Sequence, residues 1–204
     1  MNNLETTIAQ LESGFSEIPP DRKVPLHSLG AYLSQKRGSG EIPKVNFICT
    51  HNSRRSQMAQ LWLLAAAAYF KFGKLEAYSG GTEATEFHPN AVAAMQRAGF
   101  ALEKTPAAYP SGYLMHWEDQ DHHFWSKVFS ESPNPQRGFA AVMVCSDADE
   151  ACPFVPGAEK RISLPFEDPK KSDGGGKEEE AYDLAAEKIG REISYAVWVA
   201  VSTA

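Results

Sequence analysis

The apolar positions follow two different periods along the chain. At the front they recur at helical spacing in NNLETTIAQLESGF, stop at SEIPPDR, and resume in VPLHSLGAYLSQKR, which predicts two short helices within residues 1–43. GSGEIP then reads as a linker into a first strand, VNFI, at 45–48. Beyond a short polar loop, SQMAQLWLLAAAAYFKFG is rich in Ala and Leu and predicts a helix over 56–72, closed by Gly73. A short strand in LEAYSGG and a helix around HPNAVAAMQRAGF follow. Residues 107–137 are aromatic, interrupted by prolines, and predict no defined element. GFAAVMVC (138–145) is a short continuous apolar run bounded by Gly and a polar turn, the pattern of a strand buried on both faces. RISLPF (161–166) predicts another strand, DPKKSDGGGKEEE a mobile polar loop, and EEEAYDLAAEKIGREISYAVWVAV a long closing helix.

Strands separated by helices, without internal repeats, predict a parallel α/β sheet with helices on both faces. In such sheets ligands bind beyond the carboxyl ends of the strands. Cys49 follows the strand at 45–48, Cys145 closes the one at 138–145, and Asp168 follows the one at 161–166. Parallel strands would place all three on one edge.

Composition narrows the picture without defining it. The 204 residues are 43% hydrophobic and 23% charged, as in ordinary globular domains. A formal charge of -6 argues against general nucleic-acid binding, with Arg54-Arg55 as a local basic spot. The opening MNNLETTIAQLESGF lacks the basic and apolar regions of a secretory signal, and LWLLAAAAYF and YAVWVAV are too short to span a bilayer. The expected location is therefore cytoplasmic. Three cysteines in a reducing compartment are not expected to form structural disulfides, and an odd count cannot pair completely.

The loop Cys49-Thr50-His51-Asn52-Ser53-Arg54-Arg55, between a strand and a helix, is suited to a tetrahedral oxyanion. Its amides, the helix start, the Arg55 guanidinium and the Ser56 hydroxyl would stabilise a thiolate and hold an anion in front of it. Asn52 tolerates a left-handed backbone and could shape the loop. The expected oxyanion-binding set is thus Thr50, His51, Asn52, Ser53, Arg54, Arg55 and Ser56. The competing reading is a buried structural cysteine beside a helix cap, and Arg54 taken alone reads as solvent-facing.

CTHNSRRSQMA resembles the loop of the low-molecular-weight protein tyrosine phosphatase superfamily, in which Cys, five residues, Arg and then Ser or Thr follow one another. Gln57-Met58-Ala59 is more similar to its arsenate reductase branch. The resemblance spans roughly 44–204. It implies a three-layer α/β fold with a four-stranded parallel sheet flanked by helices, and a covalent intermediate on Cys49. Residues 1–43 would then be a helical N-terminal extension to a domain over 44–204, and the 107–137 insertion has no counterpart in the small reductases.

Cys145 and Cys152, seven apart in CSDADEAC, could form a disulfide if the spacer loops or unwinds. Spacing alone is not specific, and a buried cysteine at a strand end is a common structural outcome. VMVCSDADEACPFVPGAEKRISLPFEDP, however, resembles the redox segment of thioredoxin-coupled arsenate reductases. That resemblance implies a relay. Cys49 attacks arsenate while Asp168 acts as general acid, Cys145 attacks Cys49 and releases arsenite, and Cys152 attacks Cys145. An external dithiol such as thioredoxin reduces the resulting disulfide, with no bound cofactor.

Asp168 is favoured over its neighbour Glu167 because it matches the family's Asp-Pro pair, although an Asp-Pro turn is common. The phosphatases follow that pair with aromatic residues, whereas Lys170 and Lys171 stand here. An inorganic oxyanion therefore fits better than a phosphotyrosine, with some phosphate-ester hydrolysis expected and phosphatase action as the alternative. A third reading is a redox-sensing module without turnover. HWEDQDHHFW has histidines at 116, 122 and 123 but no recognisable ligand spacing, so no metal is expected. The glycines at 174–176 read as a hinge for the Asp168 loop.

Overall fold

The computed structural model describes residues 3–107, 110–117 and 120–203. Four strands, β1 (Lys44–Cys49), β2 (Glu76–Gly81), β6 (Phe139–Met143) and β7 (Ala158–Ser163), form one parallel sheet in the order β2-β1-β6-β7. The chain leaves β1 for β2 on one side and returns to β6 on the other. The crevice where the strand order reverses therefore opens beyond the carboxyl ends of β1 and β6. Every residue of β6 and all of β1 after Lys44 are buried, as the continuous apolar runs require of strands covered on both faces.

Helix α3 (Arg55–Tyr69) connects β1 to β2, and α4 (Pro89–Arg97) follows β2. The 25-residue α6 (Glu178–Ser202) packs against α1 (Asn3–Ser13), α2 (Pro20–Gly38), α3 and α4. The two N-terminal helices bury Leu4, Ile8, Leu11, Leu26, Leu29 and Leu33 in the same apolar core as Phe47, Trp62 and Ile193. Burying a side chain of that size stabilises by about 1.5–3 kcal/mol.

Three elements differ from their sequence expectations. Helix α3 stops at Tyr69 rather than running to 72 because Lys71, not Gly73, takes the first left-handed conformation (φ 53°). Its amide and that of Phe72 return to the carbonyls of Ala68 and Ala67, closing the last turn. Strand β7 lies over Ala158–Ser163, three residues earlier than expected. Leu164 and Phe166 still donate to Met143 O (2.9 Å) and Val144 O (3.1 Å), so the chain stays attached to the β6 edge as it runs to Asp168. The 107–137 region contains β4 (Tyr113–Trp117) and β5 (Gln120–Phe124), which form a second, antiparallel sheet with β3 (Glu103–Lys104). Residues 108–109 and 118–119 of that region lie outside the described residues.

Candidate active site

The loop after β1 is shaped by where its carbonyls go. Cys49 O accepts from Thr82 N, Thr50 O from Glu83 N and Thr82 Oγ1, and His51 O from Thr85 Oγ1 and Ser126 Oγ. Asn52 O accepts from Gln57 Nε2, Ser53 O from His88 N, and Arg54 O from Met58 N. Each carbonyl from 49 to 54 is thus engaged outside the ring. In a trans peptide the next N–H points the opposite way, which frees these amides to face the inside of the loop. Asn52 N does so visibly, donating to Cys49 Sγ at 3.2 Å.

Asn52 is the loop's keystone. Its backbone is left-handed (φ 47°), and its fully buried side chain donates to Ser56 Oγ at 2.9 Å. Its Oδ1 accepts from Lys127 N (3.0 Å) and Gln57 Nε2 (3.3 Å). Ser56 Oγ lies 3.0 Å from Cys49 Sγ and is held there by Asn52. Gly81 allows β2 to approach: a Cβ there would lie 2.1 Å from Glu83 O, 2.7 Å from Thr50 O and 2.8 Å from Asn52 N. Sequence reasoning identified Asn52 and Ser56 but missed Gly81, Ser126 and Lys127. The last two lie in the insertion, where no pattern marked their contacts with a loop some 75 positions away.

The arginines take unequal but connected positions. Arg55 Nη2 donates to Asp168 Oδ2 at 2.7 Å and Nη1 to Phe166 O at 2.9 Å. Arg54 is buried, not solvent-facing, and grips the same carboxylate through Nε (2.9 Å) and Nη2 (3.3 Å). Burial pushes the Asp168 carboxyl up, but Arg55, the Lys170 amide and Arg54 together outweigh it and hold the group below the usual carboxylate range. Asp168 is therefore an ionised partner of two guanidiniums, and Glu167 makes no such contact with them. The crevice is lined by Cys49, His51, Ser53, Arg54, Arg55 and Asp168, and opens beside a polar cavity of about 240 Å³. The cavity's walls include His51, Arg54, Thr85, His88, Lys170 and Asp173, with no ring of Phe, Tyr or Trp among the described residues that line it.

The second thiol lies against the loop. Cys145, fully buried at the end of β6, places Sγ 3.5 Å from Thr50 Oγ1 and accepts from Ala148 N at 3.4 Å as the N-cap of α5 (Ser146–Ala151). Cys152 is half-buried at the other end of α5, and all three thiols are unpaired. Seven helical steps from Cys145 to Cys152 rise about 10 Å, beyond the roughly 7 Å a disulfide spans between Cα atoms. Joining Cys145 to Cys152 therefore requires α5 to unwind. Arg161 opposes this by donating to Asp149 O and Oδ1 (2.6 Å each) and to Cys152 O (3.0 Å).

The histidines at 116, 122 and 123 do not converge. His116 pairs with Asp121 (3.0 Å), whereas adjacent His122 and His123 occupy opposite faces of β5. Among the described residues, no group of three or more His, Cys, Asp or Glu is arranged to hold a metal ion. No described helix is long and apolar enough to cross a membrane.

A parallel α/β sheet thus carries a buried thiol and two carboxylate-bound guanidiniums on one loop beyond the end of β1. The family described as low molecular weight phosphotyrosine protein phosphatase matches residues 44–114. An arsenate reductase from Bacillus licheniformis is 30% identical over 150 residues, covering 73% of this chain and 91% of that protein. One from Bacillus subtilis is 29% identical, covering 68% and 82%. The chain belongs to the low molecular weight phosphotyrosine protein phosphatase family. Solved structures share the fold. A low molecular weight protein tyrosine phosphatase from T. tengcongensis superposes with a TM-score of 0.51 at 19% identity, covering 76% of this chain and 98% of that one. A structure described as an arsenate reductase in the phosphate binding state gives 0.50 at 19%, covering 77% and 98%.

Proposed function

We propose that this chain reduces arsenate to arsenite through a thiol–arsenate adduct and a three-cysteine relay. The observation that carries the proposal is the second thiol: Cys145 Sγ touches the hydroxyl of Thr50, the residue that follows Cys49. Two relatives that span most of this chain are arsenate reductases, which supports the same substrate.

In the proposed sequence, arsenate enters the ring of amides and takes Arg55 and Arg54 from Asp168. The released carboxylate, now beside an anion, gains proton affinity and can protonate the departing oxygen. The Cys49 thiolate forms an S–As bond as water leaves. Cys145 thiolate then attacks Cys49 Sγ; the S–As electron pair passes to arsenic, which leaves as arsenite. Cys152 attacks Cys145, displacing Cys49 thiolate and leaving a 145–152 disulfide. A dithiol protein of the thioredoxin type, in a reducing compartment such as the cytoplasm, returns two electrons and two protons. The cavity beside the crevice, without Phe, Tyr or Trp among the described residues that line it, favours an inorganic oxyanion over a phosphotyrosine.

The test is arsenite formation with arsenate, thioredoxin, thioredoxin reductase and NADPH, run beside aryl-phosphate hydrolysis. Turnover lost in Cys145→Ser and Cys152→Ser is expected. Aryl-phosphate hydrolysis without arsenite, unaffected by either substitution, would make the chain a phosphatase.

A further inference from the structure

We propose that Arg22, in the N-terminal helix α2, is a positioning residue for the acid loop that carries Asp168. This rests on the role assigned above to Asp168. The family match begins at residue 44, so Arg22 comes from a part of the chain that precedes it.

The geometry is specific. Arg22 Nη1 donates to Pro165 O at 2.9 Å, and its guanidinium carbon sits 4.9 Å above the Phe166 ring. The remaining edge of the fork is fixed by Glu192 of α6, which accepts from Nε (3.1 and 3.2 Å) and Nη2 (2.5 Å). Glu192 is buried (3% exposed), so the fork is held by a desolvated partner rather than a mobile surface pair. The next carbonyl, Phe166 O, accepts from Arg55 Nη1 at 2.9 Å. Two arginines from distant parts of the chain therefore hold consecutive carbonyls, two and three residues before Asp168. Arg22 fixes the plane of the 165–166 segment, and that plane determines where Phe166 O meets Arg55 and where the carboxylate falls. A lysine cannot reproduce this, because one ammonium lacks the planar fork that serves Glu192, the carbonyl and the ring together.

The experiment compares the full chain with Arg22→Lys and Arg22→Gln. The first readout is hydrogen–deuterium exchange of the 164–172 amides, expected to rise about tenfold in both variants while the 49–55 amides change little. The second is the dependence of aryl-phosphate hydrolysis on leaving group. A misplaced acid costs about tenfold or more with phenyl phosphate but little with 2,4-dinitrophenyl phosphate, whose leaving group needs no proton. A general loss of folded protein would lower both rates equally. Unchanged exchange, or equal losses for the two esters, would overturn the proposal, as would unfolding of both variants. If the wild-type chain turns over neither arsenate nor aryl phosphates, the functional reading fails, and the exchange readout alone decides whether Arg22 holds the loop.

Discussion

Replacing Asn52 by alanine tests whether one side chain organises the thiol loop. Asn52 is fully buried and left-handed (φ 47°). Alanine removes the contacts to Ser56, Lys127 N and Gln57, and leaves the Lys127 amide without the acceptor it now uses. An orphaned buried donor costs about 1–3 kcal/mol, and an alanine held left-handed roughly another 1–2 kcal/mol. We therefore expect Asn52→Ala to lose about 2–5 kcal/mol. Asn52→Gly escapes the strain but pays roughly 0.4–1 kcal/mol in unfolded-state entropy, so it should fall about 0.5–1 kcal/mol short of the alanine loss. Urea unfolding at constant m-value reads both numbers, and the rate of Cys49 alkylation reports the loop itself. An alanine variant losing less than about 1 kcal/mol, or a glycine variant less stable than the alanine one, would refute the reasoning.

Three further outcomes are expected. Arg54→Ser removes one of the cations that hold Asp168 below its ordinary range, so the alkaline limb of the kcat/KM–pH profile, along which the general acid loses its proton, should move to higher pH; a limb that stays in place would show that Arg55 and the Lys170 amide suffice. Burial pushes Lys127 from its ordinary 10.5 down to about 8. The unfolded chain therefore keeps this proton where the folded one sheds it, so stability rises as pH climbs through that window, by ~3 kcal/mol. Lys127→Met should stabilise the protein at pH 7 by about 1–2 kcal/mol after its contacts with Trp125 are lost, and the gain should fade toward pH 10; equal effects at both pH values would contradict this. Arg161→Ala unfastens α5 from β7, so diamide should form the 145–152 disulfide roughly tenfold faster, read by mass spectrometry under non-reducing conditions.

The sheet was legible because β1 and β6 are continuous apolar runs, and the loop because Cys49, Asn52, Arg55 and Ser56 fall within the single short stretch 49–56. What the sequence hid depends on distance. The role of Arg54 could not be read beside Arg55, since only the fold brings Asp168, 114 positions away, against both. Ser126 and Lys127 reach the loop from a segment whose prolines and aromatics mask the period-two pattern of β4 and β5. The spacer between Cys145 and Cys152 is helical even though six residues are too short for helical periodicity to register. Its stability comes from the local Cys145 cap and from Arg161, which reaches it from β7.

The most direct test of the relay is a single turnover without external reductant. Fully reduced protein mixed with arsenate should release one arsenite per chain, and peptide mapping should find Cys145 joined to Cys152. Cys152→Ser should instead trap Cys49 joined to Cys145. Arsenite released with no disulfide, or a disulfide formed equally well without arsenate, would contradict the account.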